Sequence, residues 1–133
     1  MTVVVSVASV VEREFPPVGP YVVSAAKVAE FAAATRYAGS GVPPTFPIIL
    51  LNDAMLAFLA EVGLDLSRIV HGEQRFSYTR PLALGDELTA SLRVASVRSL
   101  GGADVIGTVS TLTDASGAVV CEAKATLVHG GAA

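Results

Sequence analysis

The chain has 133 residues, 52 % of them hydrophobic and 16 % charged, with a formal net charge of −3. That length fits a single domain, residues 1–133, able to bury about two-thirds of the surface its unfolded form exposes. The scattered Lys and Arg give no basic stripe, which argues against nucleic acid as a partner, and the single Cys121 excludes an internal disulfide or a cysteine zinc site and fits a reducing cytoplasm. So little charge on a small chain leaves apolar surface for another subunit to cover.

In chain order, Thr2 to Val11 is rich in Val and reads as an extended strand. Its apolar part, Val3 to Val11, lacks preceding positive residues and is too short to span a bilayer, so no membrane segment is expected. Three prolines between Glu14 and Pro20 remove donors and fix the backbone, which predicts a connector, neither helix nor central strand. Ser24 is the natural N-cap of a helix over Ala25–Tyr37, with Val28, Phe31, Ala32 and Thr35 on one face. Ala38-Gly39-Ser40-Gly41 breaks it, and a short loop leads to Pro43-Pro44, read as the opening of the next helix. That helix, Ile48 to Val62, carries apolar residues in every direction and is expected to be wrapped all round. Asn52 and Asp53 interrupt it and would need partners if buried.

Strands follow, after a stop at Gly63 and a turn at Asp65-Leu66-Ser67. Over Ile69–Tyr78, alternation puts Val70, Gly72, Gln74, Phe76 and Tyr78 on one face and His71, Glu73, Arg75 and Ser77 on the other. From Glu87, Leu88, Ala90, Leu92 and Val94 share a face. Gly101-Gly102 predicts a hairpin into Asp104–Thr113, whose faces are both mixed, and Asp114 to Gly117 a further turn. Val119, Cys121, Ala123, Ala125 and Leu127 are then expected inward, and the Gly-Gly-Ala-Ala tail frayed. The layout is α+β, with consecutive antiparallel strands around one long hydrophobic helix.

The order of a capped helix from Ser24 to Tyr37, then Pro43-Pro44-Thr45-Phe46, then His71-Gly72-Glu73-Gln74-Arg75-Phe76-Ser77-Tyr78-Thr79-Arg80-Pro81 and Gly85-Asp86 resembles the MaoC-like hot-dog proteins. More closely it is similar to the N-terminal dehydratase-like domain of that superfamily and to accessory subunits of (3R)-hydroxyacyl-ACP dehydratases. The similarity runs from about Gly19 to His129. It implies a hot-dog fold, an antiparallel sheet wrapped around the central helix, paired as a homodimer or as a heterodimer with a catalytic hot-dog subunit. It also implies an acyl thioester ligand, carried by coenzyme A or acyl carrier protein, and expected substrate contacts at Pro44, Thr45, Phe46, His71 and Gln74. Catalytic members carry Asp-x-Asn-Pro-x-His between the two helices. Here Tyr37-Ala38-Gly39-Ser40-Gly41-Val42 contains no Asp, Asn or His. Dehydration needs a base for the α-carbon proton and a partner for the hydroxyl, both within hydrogen-bond reach. The departure therefore implies a member of a dehydratase system that shapes the acyl tunnel without its own Asp/His pair.

Other residues keep two readings. His71 suits either contact with the thioester arm or a solvated strand edge. Gln74, on a face read as inward, would bond to backbone or to ligand. Asp53 with Asn52 could activate water, as in some hot-dog thioesterases, or bridge to nearby backbone. Arg36 and Tyr37 could meet a carrier phosphate, although an Arg in a last helical turn also suits the helix dipole. His129 reads as a frayed surface residue and Cys121 as a small core residue. No metal spacing and no phosphate loop are present, so no cofactor is expected. The alternatives to a dehydratase subunit are a hot-dog acyl-CoA thioesterase using Asp53 and a non-enzymatic hot-dog binding dimer.

Overall fold

A computed structural model describes residues 7–130. Five strands, β1 (Val18–Val22), β2 (Ile69–Tyr78), β3 (Glu87–Leu100), β4 (Ala103–Thr113) and β5 (Val119–His129), form one antiparallel sheet in the order β1-β3-β4-β5-β2. Two helices, α1 (Ala25–Thr35) and α2 (Ile48–Val62), complete the α+β arrangement. Strand and helix bury a shared core: Leu50, Leu51, Ala54, Phe58, Leu59 and Val62 of α2 meet Leu88, Ala90, Leu92 and Val94 of β3 and Ile106 and Leu112 of β4. Phe58 also takes the edge of Phe15, with ring centroids 5.0 Å apart.

Several expectations are corrected. Of the strand expected at Thr2–Val11, residues 2–6 lie outside the described residues, and Val7–Val10 is a 3-10 turn that buries Val7 and Val10. The proline-rich connector ends earlier than expected, because Val18 to Pro20 already belong to β1. An edge strand tolerates this, since a proline there leaves only the outer side without a donor. Gly19 is required in it: its φ is +128°, and a Cβ would stand 2.6 Å from the Leu88 carbonyl oxygen.

Ser24 caps α1 as expected, accepting from the Lys27 amide at 3.2 Å. The helix stops at Thr35, where Arg36 turns left-handed and its N–H reaches the carbonyls of Ala32 and Ala33. None of its residues is fully buried, and Thr35, expected on the packed face, is exposed and donates to the Phe31 carbonyl at 2.7 Å. Pro43 and Pro44 do not open α2. They lie in a separate turn, closed by Phe46 N–H to the Pro43 carbonyl at 3.0 Å, and Pro47 is the residue before the first helical turn.

Nor is α2 wrapped all round. Asn52, Asp53, Leu56, Ala57, Ala60 and Glu61 form one exposed stripe at helical spacing, because the sheet covers only the opposite side. Asn52 and Asp53 therefore need no buried partners. In β2, the pairing steps from His71 opposite Leu127 to Glu73 opposite Thr126, so Gly72 is an extra residue in a bulge. Strict alternation fails there: His71 joins Gln74, Phe76 and Tyr78 on the inner face, and Val70 is turned out, 64 % exposed. A second irregularity pairs Thr113 with Val119 and Leu112 with Cys121, which leaves Val119 47 % exposed and buries Val120 instead.

Candidate functional site

Two openings, one between α2 and the sheet and one between α1, the turn before α2 and β2, share Ile48, His71 and Gln74 as a common wall. The outer one is an open groove of about 590 Å³ bounded by Phe31, Thr35, Thr45 and Phe76. The inner one is a more enclosed cavity of about 70 Å³ beneath Leu51, Asn52 and Met55 of α2. Its floor is the inner face of the sheet. There Gln74, Ala125 and Thr108 lie side by side on three neighbouring strands, and so do Phe76, Ala123 and Ser110. Small side chains at Ala123 and Ala125 leave the room; a strand of larger residues would fill it.

The bulge at Gly72 sets the polar part of the shared wall. His71 Nε2 stands 3.0 Å from Gln74 Oε1, close enough for a hydrogen bond between the imidazole and the amide. The nearby Arg75 guanidinium is paired with Glu73, so its charge is answered on the same strand.

Of the residues singled out from sequence, Thr45, His71 and Gln74 come together at the groove, and Asn52 meets the last two at the inner cavity. Pro44 stands apart, in a cleft of about 310 Å³ with Tyr78, Arg80 and Pro81, where the Tyr78 hydroxyl donates to its carbonyl. Burial holds the Tyr78 phenol neutral, well above its ordinary range. Phe46 is buried, with ring contacts to Phe31 at 5.4 Å and Tyr21 at 6.3 Å, and it supports the groove from behind. Asp53 is exposed and belongs to neither opening. His129 is held instead of frayed, its Nε2 accepting from the Asp65 amide at 3.3 Å. Cys121 is buried, and burial pushes its thiol up. Among the described residues no cluster of His, Cys, Asp and Glu is arranged to hold a metal, and no helix is long and apolar enough to cross a membrane.

Sequence reading missed two groups. Thr108 and Ser110 face the inner cavity, and their signal was in plain view: they alternate with Ile106 and Leu112 on a strand whose faces both looked mixed. The other group is an ion cluster joining three turns. Arg80 donates to both oxygens of Asp86, at 2.9 and 3.2 Å, and to Asp114 at 3.3 Å. Asp86 also accepts from the Ala83 amide at 2.8 Å. The Arg80 bonds hold the Asp86 carboxyl below its ordinary range. Bonds from the Ser116 hydroxyl, the Ala118 amide and Arg80 bring Asp114 down to about 2.

One helix laid on a five-stranded antiparallel sheet ordered β1-β3-β4-β5-β2, with a cavity between them and a groove beside it, defines a hot-dog protein of the MaoC-like dehydratase class. The model of the family described as FAS1-like, dehydratase domain region matches residues 10–123, and the chain belongs to this family. A UPF0336 protein of Leifsonia xyli subsp. xyli is 42 % identical over 134 aligned positions, covering 87 % of this chain and 90 % of that one. Among solved structures, a chain of the C-terminally truncated HadBC (3R-hydroxyacyl-ACP dehydratase) complex from Mycobacterium tuberculosis superposes with a TM-score of 0.74 at 29 % identity, covering 86 % of this chain and 92 % of that one. A MaoC-like dehydratase superposes with a TM-score of 0.73 at 29 % identity over 96 % of this chain, which spans 44 % of that longer protein.

Proposed function

We propose that residues 1–133 act as one hot-dog unit that binds an acyl thioester within a (3R)-hydroxyacyl-CoA or -ACP dehydratase system, and that a second hot-dog chain supplies the Asp and His of the reaction. The observation that carries this reading is a groove and cavity large enough for an acyl chain beside a loop, Tyr37 to Val42, that offers no acid or base. Thr45, His71 and Gln74 would meet the thioester end, with the His71–Gln74 pair as hydrogen-bonding wall, and the small cavity beyond would take the distal end of the chain. The kinship with one chain of a two-chain dehydratase supports a division of labour of this kind. Such a system works on cytoplasmic carriers, in keeping with a free buried thiol.

Hydration of crotonyl-CoA tests it. The chain alone is expected to give no rate above buffer, to bind acyl-CoA in calorimetry, and to raise the rate of a catalytic hot-dog partner on acyl substrates. A rate from the chain alone comparable with that of ordinary hydratases would overturn the non-catalytic part.

A further inference from the structure

Thr108 and Ser110 are the only polar side chains buried in the core of the described residues, 4 % and 5 % exposed, and both open onto the inner cavity. They occupy alternate positions of β4, so their hydroxyls stand on the same face about 7 Å apart along the strand. Neither hydroxyl takes part in a side-chain hydrogen bond among the described residues. No sealed side-chain nitrogen or oxygen lacks a partner among the described residues, so both hydroxyls are reached from the cavity. Their neighbours across the sheet are apolar: Leu92 and Ala123 beside Ser110, Val94 and Ala125 beside Thr108.

Apart from the cavity, such residues offer a hydroxyl no partner, so its hydrogen bond must go to whatever fills that space, water in the free chain or a polar atom of a ligand. If the cavity served only a hydrocarbon end, valine and alanine would serve it better at both positions. A volume of about 70 Å³ holds on the order of two to six water-sized atoms, so whatever enters is short.

We propose that the inner cavity receives the distal end of a short acyl chain that carries an oxygen there, a hydroxyl or carbonyl bonded by Thr108 or by Ser110 according to how far the chain reaches, so that these two residues select oxygenated over plain acyl chains. This rests on the acyl-binding reading above and adds the substrate class. The hydroxyls supply both a donor and an acceptor, which suits either kind of oxygen. Met55 forms part of the roof, and its unbranched thioether lets chains of slightly different length fit beneath it.

The test is calorimetric titration of the full chain with butyryl-, hexanoyl- and octanoyl-CoA and with the same three bearing a terminal hydroxyl. At the best-fitting length the hydroxylated chain is expected to bind about five-fold more tightly, the effect of one net hydrogen bond. The double variant Thr108→Val, Ser110→Ala should abolish that preference while keeping or improving affinity for the plain chain. Equal affinities in the wild type, or a preference that survives in the variant, would overturn the proposal. Absence of binding by every acyl-CoA would instead remove the acyl-binding reading and this inference with it. Thermal melting gives an independent check: the variant is expected to melt no lower than wild type, and a marked fall would show that the hydroxyls serve the fold and not a ligand.

Discussion

Arg80 and its two carboxylates show how a single residue ties distant turns together. Asp86 belongs to the turn before β3 and Asp114 to the turn before β5, yet one guanidinium spans both, at 2.9 and 3.3 Å. In the folded chain Asp114 keeps its charge down to about 2, against an ordinary value of 3.8. A depressed carboxylate contributes stability that is fully present above its unfolded value and is lost as pH falls through the folded one. Melting temperature should therefore drop between pH 5 and pH 2, and Asp114→Asn should flatten that part of the profile, because the amide keeps an acceptor oxygen for Ser116 and Ala118 but has no charge to lose. Scanning calorimetry at several pH values checks this, and an unchanged slope would detach Asp114 from acid stability. The sequence made Gly85-Asp86 and Arg80-Pro81 visible as motifs, but not their meeting with Asp114. A contact across 34 residues depends on how the sheet brings its turns to one end, which local pattern does not record.

At the scale of elements, burial and exposure on α2 separate cleanly. Phe58 is fully buried against Phe15, and Asp53 is on the open stripe. Phe58→Ala should lower unfolding free energy by about 3–5 kcal/mol, from lost transfer energy plus the cavity left behind. Asp53→Ala should change it by less than about 0.5 kcal/mol, as for surface positions generally. Denaturant titration of both variants measures the contrast, and a large loss at Asp53 would mean that its stripe is covered by something in solution. Composition and periodicity located both helices and four of the five strands, because long apolar or alternating runs leave little choice. They failed where one residue shifts the register. The bulge at Gly72 turns His71 inward, and without it the imidazole and Gln74 would stand on opposite faces. The all-round apolar character of α2 was legible, but which side would stay open depends on where the sheet lies.

Over the whole molecule, the two edges of the sheet are unequal. β1 has five residues, contains Pro20 and pairs irregularly with β3, features that discourage further pairing. β2 has ten residues and no proline, its one bulge at Gly72 leaves Glu73 to Tyr78 in regular register, and its outer side has no partner within the described residues. A long unpartnered edge invites another strand, and a second hot-dog chain along β2 would also bring its surface against the groove that His71 and Gln74 line. Val70, exposed near the start of this strand, would lie close to such a seam. Val70→Glu should then leave the isolated fold intact, since the side chain is already in water, and weaken assembly at least ten-fold, roughly the effect of a charge desolvated without a partner. Sedimentation velocity across a concentration series, with the chain alone and with a catalytic hot-dog partner, reads the change directly. Assembly unaffected by Val70→Glu would move the seam away from this end of β2, to the exposed stripe of α2 or elsewhere on the sheet.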